Sequence, residues 1–273
     1  MTDTGHPPTV AIAQVQSVPE PERNLETAKA AVFEAERRAA VMIVFPEYFM
    51  SWRRGGHESG ELARIAEPLD GPFVDRLSAL ARDARMWIVA GVIESARQSG
   101  ERPFNTTVLL DGQGSLAGAY RKTHLFDAYS YRESDSFSCG NHLFQPIDTP
   151  VGRTGLLVCY DLRFPEVARQ QALAGATCLF IPSAWVAGPT KDMQWSTLLQ
   201  ARAIENGCHV IAAAQVGNEY AGQSMIVDPT GVIVAQGGND ECVITAVIDP
   251  CRVENARAAV PTLANRRPDL YQQ

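Results

Sequence analysis

The period of the apolar positions changes repeatedly along the chain, and each change marks an element. Thr9-Val-Ala-Ile-Ala-Gln-Val15 reads as a strand. Leu25, Ala28, Val32, Ala35 and Ala39 then recur at helical spacing down to Ala40, with Asn24 placed as the N-cap. Val41 to Phe45 is a short buried strand that Pro46 stops. A strand–helix–strand opening implies a crossover between neighbouring strands, with the helix on one face. Residues 48 to 71 mix aromatics, glycines and charges without a period, which predicts a long loop with room for one short helix; loops of that length are usually functional or disordered. Phe73, Leu77, Leu80 and Ala81 form a second helical stripe, and Met86 to Ile93 a further strand. Thr106–Leu110 and Ser115–Tyr120 flank Asp111-Gly112 as a hairpin.

The second half repeats the alternation less regularly. Residues 121 to 142 form another irregular, aromatic and charged segment. Leu156 to Val158 reads as a buried strand ending at Cys159, and Pro165 fits the first turn of a helix running to Ala174. A strand at Thr177–Ile181, a loop at 182–190 carrying Trp185, and a helix at Lys191–Asn206 with Gly207 as its C-cap follow. Further strands are predicted near 209–214, 223–227, 231–235 and 241–248, the middle pair joined by the turn Asp228-Pro-Thr-Gly231. Neither a linker nor an internal repeat is visible. The pattern predicts an α/β fold of mixed sheets with helices outside, in one domain over residues 1–273. The Pro- and Arg-rich end, residues 261–273, is too poor in apolar residues to build a core and is expected to pack on another subunit.

Composition removes several function classes. The chain has 273 residues and a formal net charge of −7, which argues against a nucleic-acid or anionic-membrane binder. Apolar content of 45% and charged content of 20% are those of an ordinary globular protein, and no apolar run approaches a membrane span. The start Met-Thr-Asp-Thr-Gly-His-Pro-Pro lacks the pattern of a signal peptide, so a cytoplasmic protein is expected. Six scattered cysteines without CxxC spacing suggest neither a zinc cluster nor a disulfide framework, and Cys139-Gly-Asn-His142 is half of a metal site without a second half. Gly112, Gly114 and Gly118 precede no helix and read as turn residues, not a dinucleotide loop. No cofactor is expected.

Candidate chemistry lies at three strand ends. Cys159 stands at an elbow between strand and helix, where side chains project into the crevice of an α/β sheet and a helix N-terminus favours a thiolate. A single cysteine is more often packing than nucleophile. Two further residues change the weighing: Glu47 follows the strand 41–45, and Lys122 follows the strand 115–120. A carboxylate can take the thiol proton and give it to a leaving amine, and an ammonium can stabilise an oxyanion. Gly-x-Ser-x-Gly does not occur, and His124 and His142 are the histidines placed for a Cys–His pair.

Phe45-Pro-Glu47-Tyr-Phe, Tyr120-Arg-Lys122-Thr-His-Leu-Phe and Cys159-Tyr-Asp-Leu-Arg-Phe-Pro-Glu166 resemble the three signature blocks of the nitrilase superfamily of carbon–nitrogen hydrolases. Gln200-Ala-Arg-Ala-Ile-Glu-Asn206 and the closing Arg-Arg-Pro-Asp-Leu-Tyr271 are similar to its small amidases. The resemblance implies a four-layer αββα sandwich, a homodimer or higher homo-oligomer, and a small-molecule amide substrate. It implies Cys159 as nucleophile, Glu47 as general base and acid, and Lys122 as oxyanion stabiliser. Glu133 would steady Lys122 or position substrate, the Tyr160 N–H would be a second oxyanion donor, and Trp185 would contact substrate. Lys122 should lower the thiol pKa and the glutamates oppose it, which leaves the state of the thiol open. The wording of the blocks is most similar to the ω-amidase and deaminated-glutathione amidase branch, except that Met193-Gln-Trp-Ser196 stands at the pocket border where that branch has a His-Trp-Glu-like run. Arg53, Arg54, Arg132 and Lys191 are candidate partners for a substrate carboxylate. An N-carbamoyl amidohydrolase and a silent metabolite-binding dimer are the competing readings.

Overall fold

The first crossover forms as its periodicity predicts. In the computed structural model, which describes residues 7–57, 60–96, 100–129, 131–217 and 219–271, β1 (Thr9–Gln14) leads through α1 (Pro21–Arg37) to β2 (Ala40–Val44). The N-terminal leader reading concerns residues 1–6, which lie outside the described set, as do residues 272–273 of the tail. A short α2 (Glu61–Ile65) sits in the long loop, and α3 (Pro72–Ala84) returns the chain to β3 (Trp87–Glu94). The strands β1, β2 and β3 are parallel, and β4 (Phe104–Leu110) and β5 (Leu116–Arg121) continue the sheet antiparallel.

The second half follows the same plan. β6 (Ile147–Thr149) pairs antiparallel with β7 (Gly152–Leu156); α4 (Pro165–Leu173) leads to β8 (Cys178–Ser183) and α5 (Lys191–Asn206) to β9 (His209–Ala214), both joining in parallel. β10 (Met225–Val227) and β11 (Ile233–Gln236) extend this sheet antiparallel. The chain then returns to the first sheet as β12 (Cys242–Val247), antiparallel to β1, and ends in α6 (Pro250–Ala259). The orders are β12-β1-β2-β3-β4-β5 and β6-β7-β8-β9-β10-β11, with the same sequence of parallel and antiparallel pairings. Residue identity displays no repeat, but topology does.

Alternation along each strand builds the layers. On β1, Ala11 and Ala13 join Leu25, Val32, Phe73 and Leu77 in a core beneath α1 and α3. Val10 and Ile12 face the other way, into a core that runs between the sheets and on to Val167, Trp195 and Leu199 of α4 and α5. The result is the four-layer αββα sandwich. Among the described residues no helix is long and apolar enough to cross a membrane.

Two local expectations change, and α6 is an element that the sequence pattern does not predict. Asn24 is not the N-cap: α1 begins at Pro21, whose fixed φ and missing N–H suit a first turn. The buried Asn24 side chain instead accepts from Val18 N at 3.0 Å and donates to Val18 O at 2.7 Å and Met50 O at 3.0 Å. α6 carries one buried residue, Val253, so it shows no apolar stripe; Asp249 caps it by accepting from Cys251 N at 2.9 Å. The elbow is also longer than expected. A 3₁₀ turn over Cys159–Arg163 separates the cysteine from α4.

Candidate active site

Glu47 is held where β2 ends by the backbone of β3. Gly91 N donates to Pro46 O at 3.2 Å, and Met50 N to Gly91 O at 2.9 Å. A Cβ on Gly91 would stand 2.6 Å from Tyr48 N and 2.7 Å from Pro46 O, so the segment crosses β3 only over a glycine. The Glu47 carboxylate is buried and saturated. Oε1 accepts from Lys122 Nζ at 2.8 Å and Asn105 Nδ2 at 2.7 Å; Oε2 accepts from Ala184 N, at the end of β8, at 2.8 Å.

Lys122 leaves β5 with its N–H donating to Asn105 O at 2.9 Å, and its ammonium also reaches Glu133 Oε2 at 2.8 Å. Glu133 opens a 3₁₀ turn and accepts from Phe126 N at 2.7 Å, Asn105 Nδ2 at 2.9 Å and the Tyr48 hydroxyl. Lys122 and the two glutamates are each no more than 2% exposed. A buried ion cluster survives only with such full pairing.

These surroundings act on the thiol in opposite directions. Burial is the largest influence and pushes the Cys159 pKa well above its ordinary value; the Glu47 carboxylate adds to the rise, while Lys122 and the Ala184 N–H oppose it. Burial likewise raises Glu47, with Glu133 adding and Lys122 opposing. Burial works against the Lys122 charge, but Glu133 and Glu47 outweigh it and hold the ammonium firmly protonated. Burial thus works toward the neutral thiol and the two glutamates toward the ammonium, against the thiolate that a helix N-terminus would favour. The arrangement can move the thiol proton to Glu47 as sulfur attacks, and can meet negative charge on an adjacent oxygen.

The elbow at Cys159 is strained and tied down. Cys159 has φ of +45°, a left-handed value that a non-glycine residue adopts only when its surroundings hold it there. The tie is Asp161, fully buried. Its Oδ2 accepts from Val158 N at 3.0 Å and the Tyr120 hydroxyl at 2.9 Å, and its Oδ1 accepts from His124 N at 3.1 Å and lies 2.7 Å from His124 Nδ1. His124 thus serves Asp161, and its ring stacks on Phe164 at 3.8 Å. His142 borders a separate cavity with Arg121.

Glu47, Lys122, Glu133, Cys159, Tyr160 and Trp185 all line one cavity of about 470 Å³. Of the four candidate cations, Lys191 borders it, with Nζ 4.3 Å from the centre of the Tyr129 ring. Arg53 pairs with Glu61 at 3.1 Å, Arg132 with Asp135 at 3.5 Å, and Arg54 is exposed. Arg163 was not foreseen. It lines the cavity with its guanidinium 4.7 Å from the centre of the Trp185 ring, and Nη2 donates to Gln194 Oε1 at 2.8 Å. The Met193–Ser196 run stands one layer behind the wall: Gln194 holds Arg163, and Trp195 packs on Trp185 at 5.2 Å. Asn105 was also missed, because it stands just before the predicted strand Thr106–Leu110 with nothing to mark it off. Arg163 and Asp161 did carry a signal, their place in the turn begun by Cys159.

A cysteine, a lysine and two glutamates thus meet in one cavity of an αββα sandwich. The profile of the carbon–nitrogen hydrolase family matches residues 9–258, and the chain belongs to that family, within the nitrilase superfamily. Deaminated glutathione amidase of Bos taurus is 38% identical over 97% of this chain and 83% of its own length. Saccharomyces cerevisiae Nit3, of branch 10 of the nitrilase superfamily, superposes with a TM-score of 0.85 at 31% identity, over 96% of this chain and 97% of that one. A mutant amidase from Nesterenkonia sp. AN1, seen with the acetamide moiety of fluoroacetamide added covalently at its active-site cysteine, superposes with a TM-score of 0.83 at 25% identity, over 99% and 98% of the two chains. The protein is an amidohydrolase that falls with the ω-amidase and deaminated-glutathione amidase branch.

Proposed function

We propose that the protein hydrolyses the amide bond of a small carboxylated substrate through a thioester on Cys159. The observation that carries this reading is Lys122 Nζ, held 2.8 Å from both Glu47 and Glu133 on the wall that Cys159 shares. As Cys159 Sγ bonds to the amide carbon, its proton passes to Glu47 and the carbonyl electron pair moves onto oxygen. That oxygen is met by Lys122 Nζ and the Tyr160 N–H. Collapse of the adduct breaks the C–N bond, and Glu47 returns the proton to the departing nitrogen, releasing ammonia or an amine. Water, losing a proton to Glu47, then attacks the thioester carbon; the acid leaves and the sulfur regains its proton. Glu133 keeps the Lys122 ammonium in place through both steps.

Arg163 and Lys191 give the cavity a positive wall suited to a carboxylate, and both lie over the Trp185 ring. The name of the deaminated-glutathione amidase relatives points to the same substrate class. Exposed Ile204, Val260, Leu270 and Tyr271 favour a homodimer, to be checked by light scattering. The deciding experiment is a product screen over 2-oxoglutaramate, deaminated glutathione, aliphatic amides, nitriles and N-carbamoyl amino acids. Hydrolysis of the carboxylated amides, with an acyl adduct on Cys159 in quenched samples, is the expected result. Carbon dioxide released with ammonia from the carbamoyl compounds alone would replace the reading with a carbamoyl amidohydrolase. Stoichiometric alkylation of Cys159 without turnover of any amide would reject catalysis altogether.

A further inference from the structure

The 3₁₀ turn over Cys159–Arg163 is held near its start by Asp161, which accepts from Val158 N at 3.0 Å. Its far end is held by a different device. Leu162 is fully buried. Two residues on, Phe164 runs extended at φ −105° and ψ 95°, and Pro165 has no N–H, so the helical pattern that would satisfy the Leu162 carbonyl is interrupted. Arg202 of α5 meets that carbonyl instead. Its Nε and Nη2 both donate to Leu162 O, at 3.1 and 2.7 Å, and its Nη1 donates to Glu205 Oε1 at 2.9 Å.

Arg202 is 4% exposed, and a buried cation is a costly partner for one neutral carbonyl. What the guanidinium adds is direction. Two N–H groups fixed in one plane set where a carbonyl points, as a single rotating donor does not. Between the two holds the turn carries Cys159, at φ of +45°, and the Tyr160 N–H. A turn held at Val158 alone could relax the left-handed residue, and the sulfur and the Tyr160 N–H would then leave their places together. Arg163 is held separately, by Gln194 of the same helix at 2.8 Å.

We propose that Arg202 is a positioning residue for the reaction: by fixing the Leu162 carbonyl it keeps Cys159 in its left-handed conformation, with the sulfur aimed for attack and the Tyr160 N–H turned to the oxygen that Lys122 meets. The proposal rests on the amidase reading and extends it to a side chain outside the cavity wall. Arg202 touches no substrate, and Arg163 keeps its own hold on Gln194. Loss of the fork therefore slows the chemical step and leaves substrate binding in place.

The test compares wild type, Arg202→Ala and Arg202→Lys on 2-oxoglutaramate and deaminated glutathione. A shift of about 1 Å at a reacting group costs about 10²-fold, so Arg202→Ala should lose about 10²-fold in kcat with KM changed by less than about threefold. Arg202→Lys keeps the charge but replaces the fork with a point donor, and should recover about tenfold of that loss. Single turnovers with enzyme in excess read the rate constant of the folded molecules whatever their fraction, so a merely structural role would lower the amplitude and not the rate constant. The proposal expects the rate constant to fall with kcat. A wild-type rate constant in Arg202→Ala, or in Arg202→Lys where the alanine variant does not fold, overturns it and leaves the amidase reading standing. Failure of both variants to fold overturns it as well, since Arg202 would then serve the fold. A wild-type enzyme that cleaves no amide of the product screen overturns the amidase reading and the role of Arg202 with it.

Discussion

The two sheets share one strand plan, yet the positions just past their matching strands carry different chemistry. After β2 stands Glu47; after its counterpart β8 stands Ala184, whose N–H donates to Glu47 at 2.8 Å. After β5 stands Lys122; after its counterpart β11 stands Gly237. The first sheet thus brings Glu47 and Lys122, knitted with Glu133 through Asn105, and the second brings Cys159 with its buried Asp161, the Ala184 N–H and the Trp185 wall. A duplicated scaffold fixes where strand ends converge, and the loops decide what is delivered there. The difference also divides cost. Charges buried on the first-sheet side support one another and the fold, whereas the Cys159 side chain can be truncated without stranding a buried charge.

Substitutions should separate the two sides. Cys159→Ala, on the second-sheet side, should lower turnover by on the order of 10⁴-fold or more while leaving the melting temperature within a few degrees; residual activity above a tenth of wild type would remove Cys159 from its role. Lys122→Ala should lose about 10²–10³ in kcat/KM and, by stranding two buried carboxylates, roughly 3–5 kcal/mol of stability, read from urea unfolding. A stable Lys122→Ala protein would break the proposed division. Gly91→Ala replaces no reactive group, but the new methyl must displace the Pro46–Tyr48 backbone. It should cost about 1–3 kcal/mol and about 10²-fold in rate, with Cys159 still alkylated at the wild-type level.

The smallest expected effect is in pH dependence. Glu47, raised by burial and faced by Lys122, Glu133 and the Cys159 thiol, must be ionised to accept a proton. The acid limb of kcat/KM should accordingly lie above the usual carboxylate value of about 4.3, with activity lost as pH falls through the raised pKa. The Asn105 hydrogen bond lowers the Glu47 pKa, so Asn105→Leu should move the limb upward. A limb that stays put in that variant would separate the profile from Glu47.

How much of this was legible in the sequence depended on whether a residue broke a local pattern. Glu47, Lys122 and Cys159 interrupt apolar or strand-like runs at their ends, and polar residues there stand out. Glu133 lies in an irregular stretch and was found only through resemblance of the surrounding blocks. Asn105 is the second residue of β4, just before two threonines, where a polar residue facing the site looks like one facing solvent. Gly91 lies inside an apolar strand, and only the three-dimensional crossing of the Pro46–Tyr48 segment explains it. The thiol state was out of reach for a related reason: burial outweighs the neighbouring ammonium, and burial is a property of the assembled layers.

Asp161 holds the strand end that precedes Lys122 and the turn that presents Cys159 by a single carboxylate. The spacing between ammonium and sulfur is thereby set from beneath, independently of the residues that rim the opening above. Lineages built on this scaffold can recut that rim to admit new amides while the reacting gap keeps its width. Divergence in what is eaten need not disturb how it is bitten.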